Sequence, residues 1–71
     1  MNLYVVKDIK AGRVGNIVEF VNDDVAKRAI EEARTNKESD LGRWPTDFEL
    51  WKVGEKNEKT GEVTPELRCM E

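Results

Sequence analysis

The densest group of side chains with binding chemistry lies near the start of the sequence. Residues 7–15 carry three basic residues against a single acidic one, with two glycines among them. Glycine lets the backbone approach a phosphate closely, and lysine or arginine neutralises its charge. The segment lacks the Gly-x4-Gly-Lys-[Ser/Thr] pattern of a nucleotide-binding P-loop. Lys7, Lys10 and Arg13 are therefore candidate nucleic-acid contacts. The alternative is a solvated hairpin connection whose glycines serve the turn.

Two further cations and two aromatic residues are also candidate contacts for nucleic acid. Lys27 and Arg28 lie on a predicted helix and extend the basic surface, unless they form a solvated face paired with neighbouring glutamates. Tyr4 and Trp44 are candidates for stacking on bases, as aromatics do in single-strand binders. Tyr4 has a second interpretation, because its strand is apolar on both faces and such rings concentrate at subunit interfaces.

The sequence offers no equipment for catalysis or metal binding. It contains no histidine, so the usual acid/base group at neutral pH is missing. Its single cysteine, Cys69, has no second cysteine to form an internal disulfide or a zinc site. We predict no catalytic residue, no metal site and no cofactor, and we expect that the protein is not an enzyme.

The charge of the chain is unevenly distributed. The net charge is −3 and the pI is about 5.0. Residues 1–37 hold 7 basic and 6 acidic groups, whereas residues 38–71 hold 5 and 9. Most nucleic-acid-binding domains are basic, so the total counts against strong nonspecific DNA binding, although local fields matter more. A nucleic-acid surface should therefore lie on the first half.

The length of the chain limits the architecture that it can form. A chain of 71 residues forms one domain at most, and its small core favours self-association. We predict a single domain over residues 1–65, a C-terminal tail over 66–71, and a homo-oligomer.

No stretch approaches the ~20 apolar residues that span a bilayer, and the start does not resemble a signal peptide. We therefore expect no membrane association and a location in the cytoplasm where the protein is made.

Hydrophobic periodicity predicts an α+β domain with the order β-β-α-β-β. The predicted helix, residues 24–34, has an apolar stripe at 3.6-residue spacing and follows Asn22-Asp23-Asp24, a good helix start. A small, mostly antiparallel sheet with one helix follows from this order. Such a sheet leaves one face open for a partner. The remaining elements are strands at 2–8, 17–21, 47–55 and 62–64, a loop at 10–16, a polar connection at 35–46, and a turn at 56–61 in which Gly61 is left-handed. Pro65 is expected to end the last strand.

Several segments together resemble a known phage family. They are MNLYVVKD at residues 1–8, KAG at 10–12, NDDVAKR at 22–28, PTDFELWKVGE at 45–55 and TGE at 60–62. Their order and spacing resemble the small nonstructural protein of gokushovirus-type microviruses, which are single-stranded DNA phages. One departure is residues 56–57, Lys-Asn, where that family more often has an aromatic and an acidic residue. The resemblance implies DNA binding and a role in the switch from duplex replication to single-strand synthesis and packaging.

Two functional hypotheses remain open at this point. The first is a nonenzymatic phage accessory protein that associates with single-stranded DNA in replication or packaging. The second is a homodimeric protein-interaction module that binds a phage or host replication protein. The acidic second half of the chain and the strands that are apolar on both faces favour the second hypothesis. The family resemblance favours the first.

Overall fold

The computed structural model describes residues 1–70, which form a sheet with one main helix. Strand β1 opens the chain, and in the sequence helix α1 follows the first three strands and precedes the last two. The elements are β1 (Asn2–Asp8), β2 (Arg13–Val14), β3 (Val18–Phe20), α1 (Asp23–Thr35), α2 (Asp40–Arg43), a 3-10 turn (Pro45–Asp47), β4 (Phe48–Lys56) and β5 (Val63–Cys69). The expected α+β class is confirmed, and the element order is close to the predicted one.

The sheet is antiparallel throughout its paired strands, with β1 and β4 at its centre. β1 pairs with β4 on one side and with both β2 and β3 on the other, while β5 pairs with β4. β2 lies within the segment predicted as a loop. Because the β1–β4 register shifts between Leu3 and Tyr4, β4 carries a bulge there.

Helix α1 forms where the sequence predicts it and supplies two of the four side chains in the main buried cluster. The side chain of Asn22 caps the helix by accepting from the Val25 amide at 2.9 Å. Ala26 and Ile30 face the sheet and pack with Tyr4 and Leu50, and all four side chains are buried. Alanine at the contact lets the helix approach the sheet closely. Val6, Phe20, Leu41 and Met70 pack around this cluster.

No helix of residues 1–70 covers the other face of the sheet, which we call the helix-free face. Side chains alternate along a strand, so Leu3, Val5 and Lys7 point to the side opposite Tyr4. Leu3 and Val5 are nevertheless buried. Trp51 lies opposite Val5, and the Lys7 ammonium lies 3.7 Å from the Trp51 ring centroid. The protein therefore covers part of this face with its own side chains.

The expectation that Pro65 ends the last strand and that a loose tail follows is wrong, because β5 continues to Cys69. The backbone amide of Asn57 donates to the Glu62 carbonyl at 2.8 Å, so these two residues form a hydrogen-bonded pair. In an antiparallel ladder, hydrogen-bonded pairs alternate with pairs that are not hydrogen-bonded. Pro65, opposite Gly54, therefore falls in a non-bonded pair, and its nitrogen faces away from β4. Proline is tolerated at such an edge position because no ladder bond is lost. Beyond the strand, Met70 still donates to Leu50, whereas Glu71 lies outside the described residues.

The polar connection before β4 contains more structure than the sequence indicates. Ser39 caps the short helix α2 by accepting from the Gly42 amide at 3.2 Å. Leu41 packs on the core, but Trp44 remains 52% exposed. The turn before β5 forms as predicted, with Gly61 at φ +78°. Neither helix in the described part of the chain has the length and hydropathy needed to cross a membrane.

Candidate nucleic-acid interface

Two turns meet where β1 ends and β4 begins, and we call this region the hairpin end. In the β1–β2 turn, the Asp8 carboxylate accepts from the Ala11 amide at 3.0 Å, and Gly12 is left-handed at φ +66°. The Ile9 amide donates to the carbonyl of Asp47 at 2.8 Å. This bond joins the basic turn to the 3-10 turn that precedes β4.

The basic residues of the turn point in different directions. Lys10 is exposed at the tip, and Arg13 is exposed opposite Asp8 in the first pair of β2. Lys7 lies on the helix-free face, where its ammonium covers the Trp51 ring. Within residues 1–70, neither Lys10 nor Arg13 forms a salt bridge. The structure therefore leaves Lys10 and Arg13 available to an anion and separates Lys7 from them.

Trp44 lies at the same end of the molecule as these cations. The carbonyl of Trp44 accepts from the Asp47 amide at 3.0 Å, and Asp47 in turn binds the chain at Ile9. Ile9 and Val14 are also exposed, so the hairpin end combines cations with apolar surface. Single-strand binders combine an exposed aromatic, on which a base stacks, with cations that neutralise the phosphates.

A cleft of about 280 Å³ opens beside Arg13 on the helix side of the sheet. Val6 and Phe48 supply apolar surface, whereas Asp8 and Asp40 supply carboxylates. Because two carboxylates share the cleft with one guanidinium, the interior of the cleft does not attract phosphate. The anion-attracting surface at the hairpin end is therefore the exposed rim that carries Lys10 and the outer side of Arg13.

Tyr4 cannot stack on a base or lie at a subunit interface, so both interpretations of this residue are wrong. Its ring is fully buried and packs against Phe20 with ring centroids 5.8 Å apart. The period-2 alternation of β1 places it on the helix side, where its hydroxyl donates to Asp23. Burial, and then this hydrogen bond to a carboxylate, raise the pKa of Tyr4.

Lys27 and Arg28 are exposed on α1, away from the hairpin end. The helix starts beside β1, where Asp23 accepts from Tyr4, and ends near the start of β4, where Arg34 donates to the Phe48 carbonyl at 3.3 Å. At 1.5 Å of rise per residue, Arg28 lies about 9 Å from Arg34 along the axis. The structure therefore does not bring the helix cations together with Lys10 and Arg13.

Comparison with known protein families decides the origin of the chain. The family described as Phage ORF5 protein matches residues 1–70. The chain belongs to this family. It is thus a phage protein, and the family supports an accessory role. No curated protein and no solved structure matches the Phage ORF5 chain.

The chain also contains a polar cluster that its sequence does not indicate. Lys52 is only 4% exposed, and its ammonium binds Glu55 at 2.9 Å and Glu66 at 3.3 Å. Arg68 binds Asp23 at 3.0 Å. These contacts join β5 to the sheet and to α1. The only local signal is a lysine two residues after the core residue Leu50, and its partners on β5 lie too far away in the sequence to be inferred.

The electrostatics of this cluster favour the charged forms of its members. The hydrogen bond from Tyr4, and then that from Arg68, lower the pKa of Asp23 despite partial burial. The hydrogen bonds to Glu55 and Glu66 raise the pKa of Lys52 against the effect of burial. Because each charge has a partner within the fold, we assign the cluster a structural role. Among residues 1–70 no group of three or more potential ligands is placed to hold a metal ion.

Proposed function

We propose that this protein is a nonenzymatic phage accessory protein that associates with single-stranded DNA in replication or packaging, in the host cytoplasm. The observation that carries the proposal is the combination at the hairpin end of exposed Lys10 and Arg13 with exposed Trp44. Membership of the Phage ORF5 family and the resemblance to gokushovirus nonstructural proteins support it.

The contacts in this proposal follow from the side chains present. Lys10 and Arg13 neutralise phosphates, and the Trp44 indole stacks on a base. A flexible single strand suits this surface better than a duplex, because its bases are free to unstack onto the ring. The total charge of −3 keeps the affinity modest, since only the local field at the hairpin end attracts the strand.

A titration of labelled single- and double-stranded oligonucleotides at two salt concentrations tests the proposal. Two phosphate contacts give a slope of log K against log salt of about −1.4 for a single strand. Binding should therefore weaken about sevenfold between roughly 50 and 200 mM salt. Absence of any shift with single-stranded DNA at low salt removes the proposal.

A pair of matched variants tests the location of the site. The double change Lys10→Glu with Arg13→Glu should abolish binding. The double change Lys27→Glu with Arg28→Glu alters the net charge equally but lies on α1, so it should weaken binding only slightly through the long-range field. Circular dichroism checks that both variants remain folded. Equal losses in the two variants contradict a site at the hairpin end.

A homodimeric interaction module that binds a phage or host replication protein is the second candidate. One observation favours it: residues 63–68 of β5 are exposed, with Val63 and Leu67 on the surface. Apolar side chains on an unpaired sheet edge are typical of strands that pair with another chain. The two candidates are compatible, because β5 and the hairpin end are separate surfaces.

A further inference from the structure

Three neighbouring strands place a row of side chains under the cleft at the hairpin end. Arg13 of β2 and Phe48 of β4 are the cross-strand partners of Asp8, which lies between them on β1. Directly paired residues share a face of the sheet, and alternation from Tyr4 places this row on the helix side. Asp40, at the start of α2, lines the cleft from above the sheet.

The three charged side chains of the cleft are not paired with one another. One oxygen of Asp8 accepts from the Ala11 amide at 3.0 Å. Within the described residues 1–70, the carboxylate of Asp40 and the guanidinium of Arg13 form no hydrogen bond or ion pair. Both groups therefore keep their full capacity to bind a ligand, and the Asp40 carboxylate offers two adjacent acceptor oxygens.

The composition of the cleft indicates the chemistry of its ligand. The two carboxylates repel a phosphate, and Arg13 opposes the entry of a second cation. Val6 and Phe48 are half-buried and supply apolar surface. The cleft, of about 280 Å³, is slightly smaller than the pockets of roughly 300–1,000 Å³ that hold drug-sized ligands. A small, neutral, planar ring with donors on one edge and acceptors on another suits these walls.

We propose that the cleft binds one guanine base of a single strand, an inference that rests on the proposed association with single-stranded DNA. The Asp40 carboxylate accepts from N1–H and from the 2-amino group on the Watson–Crick edge of guanine. Arg13 donates to O6 and N7, as arginine does to guanine elsewhere. Because a guanidinium has several N–H donors, the outer side of Arg13 stays available to a phosphate.

The hydrogen-bonding edges of the four DNA bases explain the preference for guanine. Only guanine has two adjacent N–H donors on its Watson–Crick edge, which match the two oxygens of one carboxylate. Adenine and cytosine place an acceptor nitrogen beside their amino group, and thymine places its N–H between two carbonyl oxygens. Each of these bases brings an acceptor against Asp40, which costs binding energy.

The cleft and the exposed Trp44 indole belong to one short segment of the chain. The Trp44 amide donates to the Asp40 carbonyl at 2.9 Å, so the two residues lie within one helical turn. A strand that places guanine in the cleft therefore brings a neighbouring base close to Trp44 for stacking.

Anisotropy titrations at low salt with short labelled thymidine oligonucleotides test the base preference, each strand carrying one replaced base. A single guanine should tighten binding about tenfold relative to the all-thymine strand. Hypoxanthine lacks the 2-amino group and should fall between guanine and thymine. A guanine strand that binds no tighter than an adenine strand overturns the guanine site, because stacking alone favours a purine. That result leaves the proposed DNA association intact, whereas no binding of any strand overturns both.

A matched pair of variants tests the role of Asp40. Asp40→Asn replaces one acceptor oxygen by an amide donor and should bring the guanine and adenine strands to nearly equal affinity. Glu38→Gln removes the same charge two residues away, from a side chain outside the cleft, and should keep the preference. Circular dichroism checks that both variants remain folded. A guanine preference that survives Asp40→Asn, or that is lost equally in Glu38→Gln, contradicts the site.

Discussion

Replacing Tyr4 by Phe removes one hydroxyl from the core and tests the assignment of this residue as structural. The hydroxyl donates to the Asp23 carboxylate and accepts from the Asn2 side chain at 3.1 Å. A hydrogen bond to a charged group contributes about 1.5–3 kcal/mol. Asp23 retains Arg68 at 3.0 Å and remains partly exposed to water, so the loss should lie at the lower end of that range. We expect the free energy of unfolding to fall by about 1.5 kcal/mol.

Urea denaturation at pH 7 measures this change directly. For a domain of this size, a loss of about 1.5 kcal/mol corresponds to a decrease in Tm of roughly 6–12 °C. Binding to single-stranded DNA, measured where both proteins are folded, should be unchanged. Unaltered stability refutes the structural assignment of the hydroxyl.

The pH dependence of the Tyr4→Phe difference gives a further check on the partner. The folded protein lowers the pKa of Asp23 below its ordinary value of 3.8, chiefly through the Tyr4 hydroxyl. The stability from this interaction is therefore present above pH 3.8 and is lost as pH falls through the folded pKa. The difference between wild type and Tyr4→Phe should shrink over that acid range. A difference that does not change with pH in that range contradicts Asp23 as the acceptor.

Two further predictions concern the polar cluster and the connection before β4. Lys52→Met keeps the stem but removes the ammonium, and because both carboxylate partners are half-exposed and regain water, we expect a loss of about 1 kcal/mol in urea denaturation. Because the fold raises the pKa of Lys52, the stability that its ammonium contributes is present below pH 10.5 and is lost as pH rises through the folded pKa. The difference in unfolding free energy between the wild type and Lys52→Met should therefore shrink at high pH. A difference that grows with pH contradicts the account. Gly42→Ala places a Cβ 1.8 Å from the Asn36 carbonyl oxygen and should cost about 1–3 kcal/mol of stability. A Tm equal to that of the wild type contradicts this packing.

Local signals explain the parts of the fold that could be predicted from the sequence. The Asn22 cap, the alanine-containing stripe of α1 and the glycine at position 61 act within a few residues, so their geometry follows from their spacing. The apolar run at residues 3–6 is flanked by Asn2 on one side and by Lys7 and Asp8 on the other, and the strand predicted at residues 2–8 matches β1. These features depend on period and capping, which a single sequence displays directly.

The parts that could not be predicted depend on which strand lies next to which. Pro65 continues β5 only because its nitrogen faces the free edge, a property of the pairing with β4. Tyr4 alternates to the helix side, but the sequence does not say which face of β1 the helix covers. The contact of Lys52 with Glu66 joins two strands, and nothing in the spacing of the residues indicates it. Composition indicates the basic turn, whereas the location of Trp44 at the same end of the sheet depends on the bond between Ile9 and Asp47.

NMR titration of the isotope-labelled protein with a short single-stranded oligonucleotide tests the central functional claim most directly. The account predicts that amide shifts concentrate in residues 9–14 and that the Trp44 indole N–H shifts with them. The turn at residues 57–62, at the other end of the sheet, should be unaffected. No shifts at low salt, or shifts concentrated on α1 around Lys27 and Arg28, contradict a DNA-binding surface at the hairpin end.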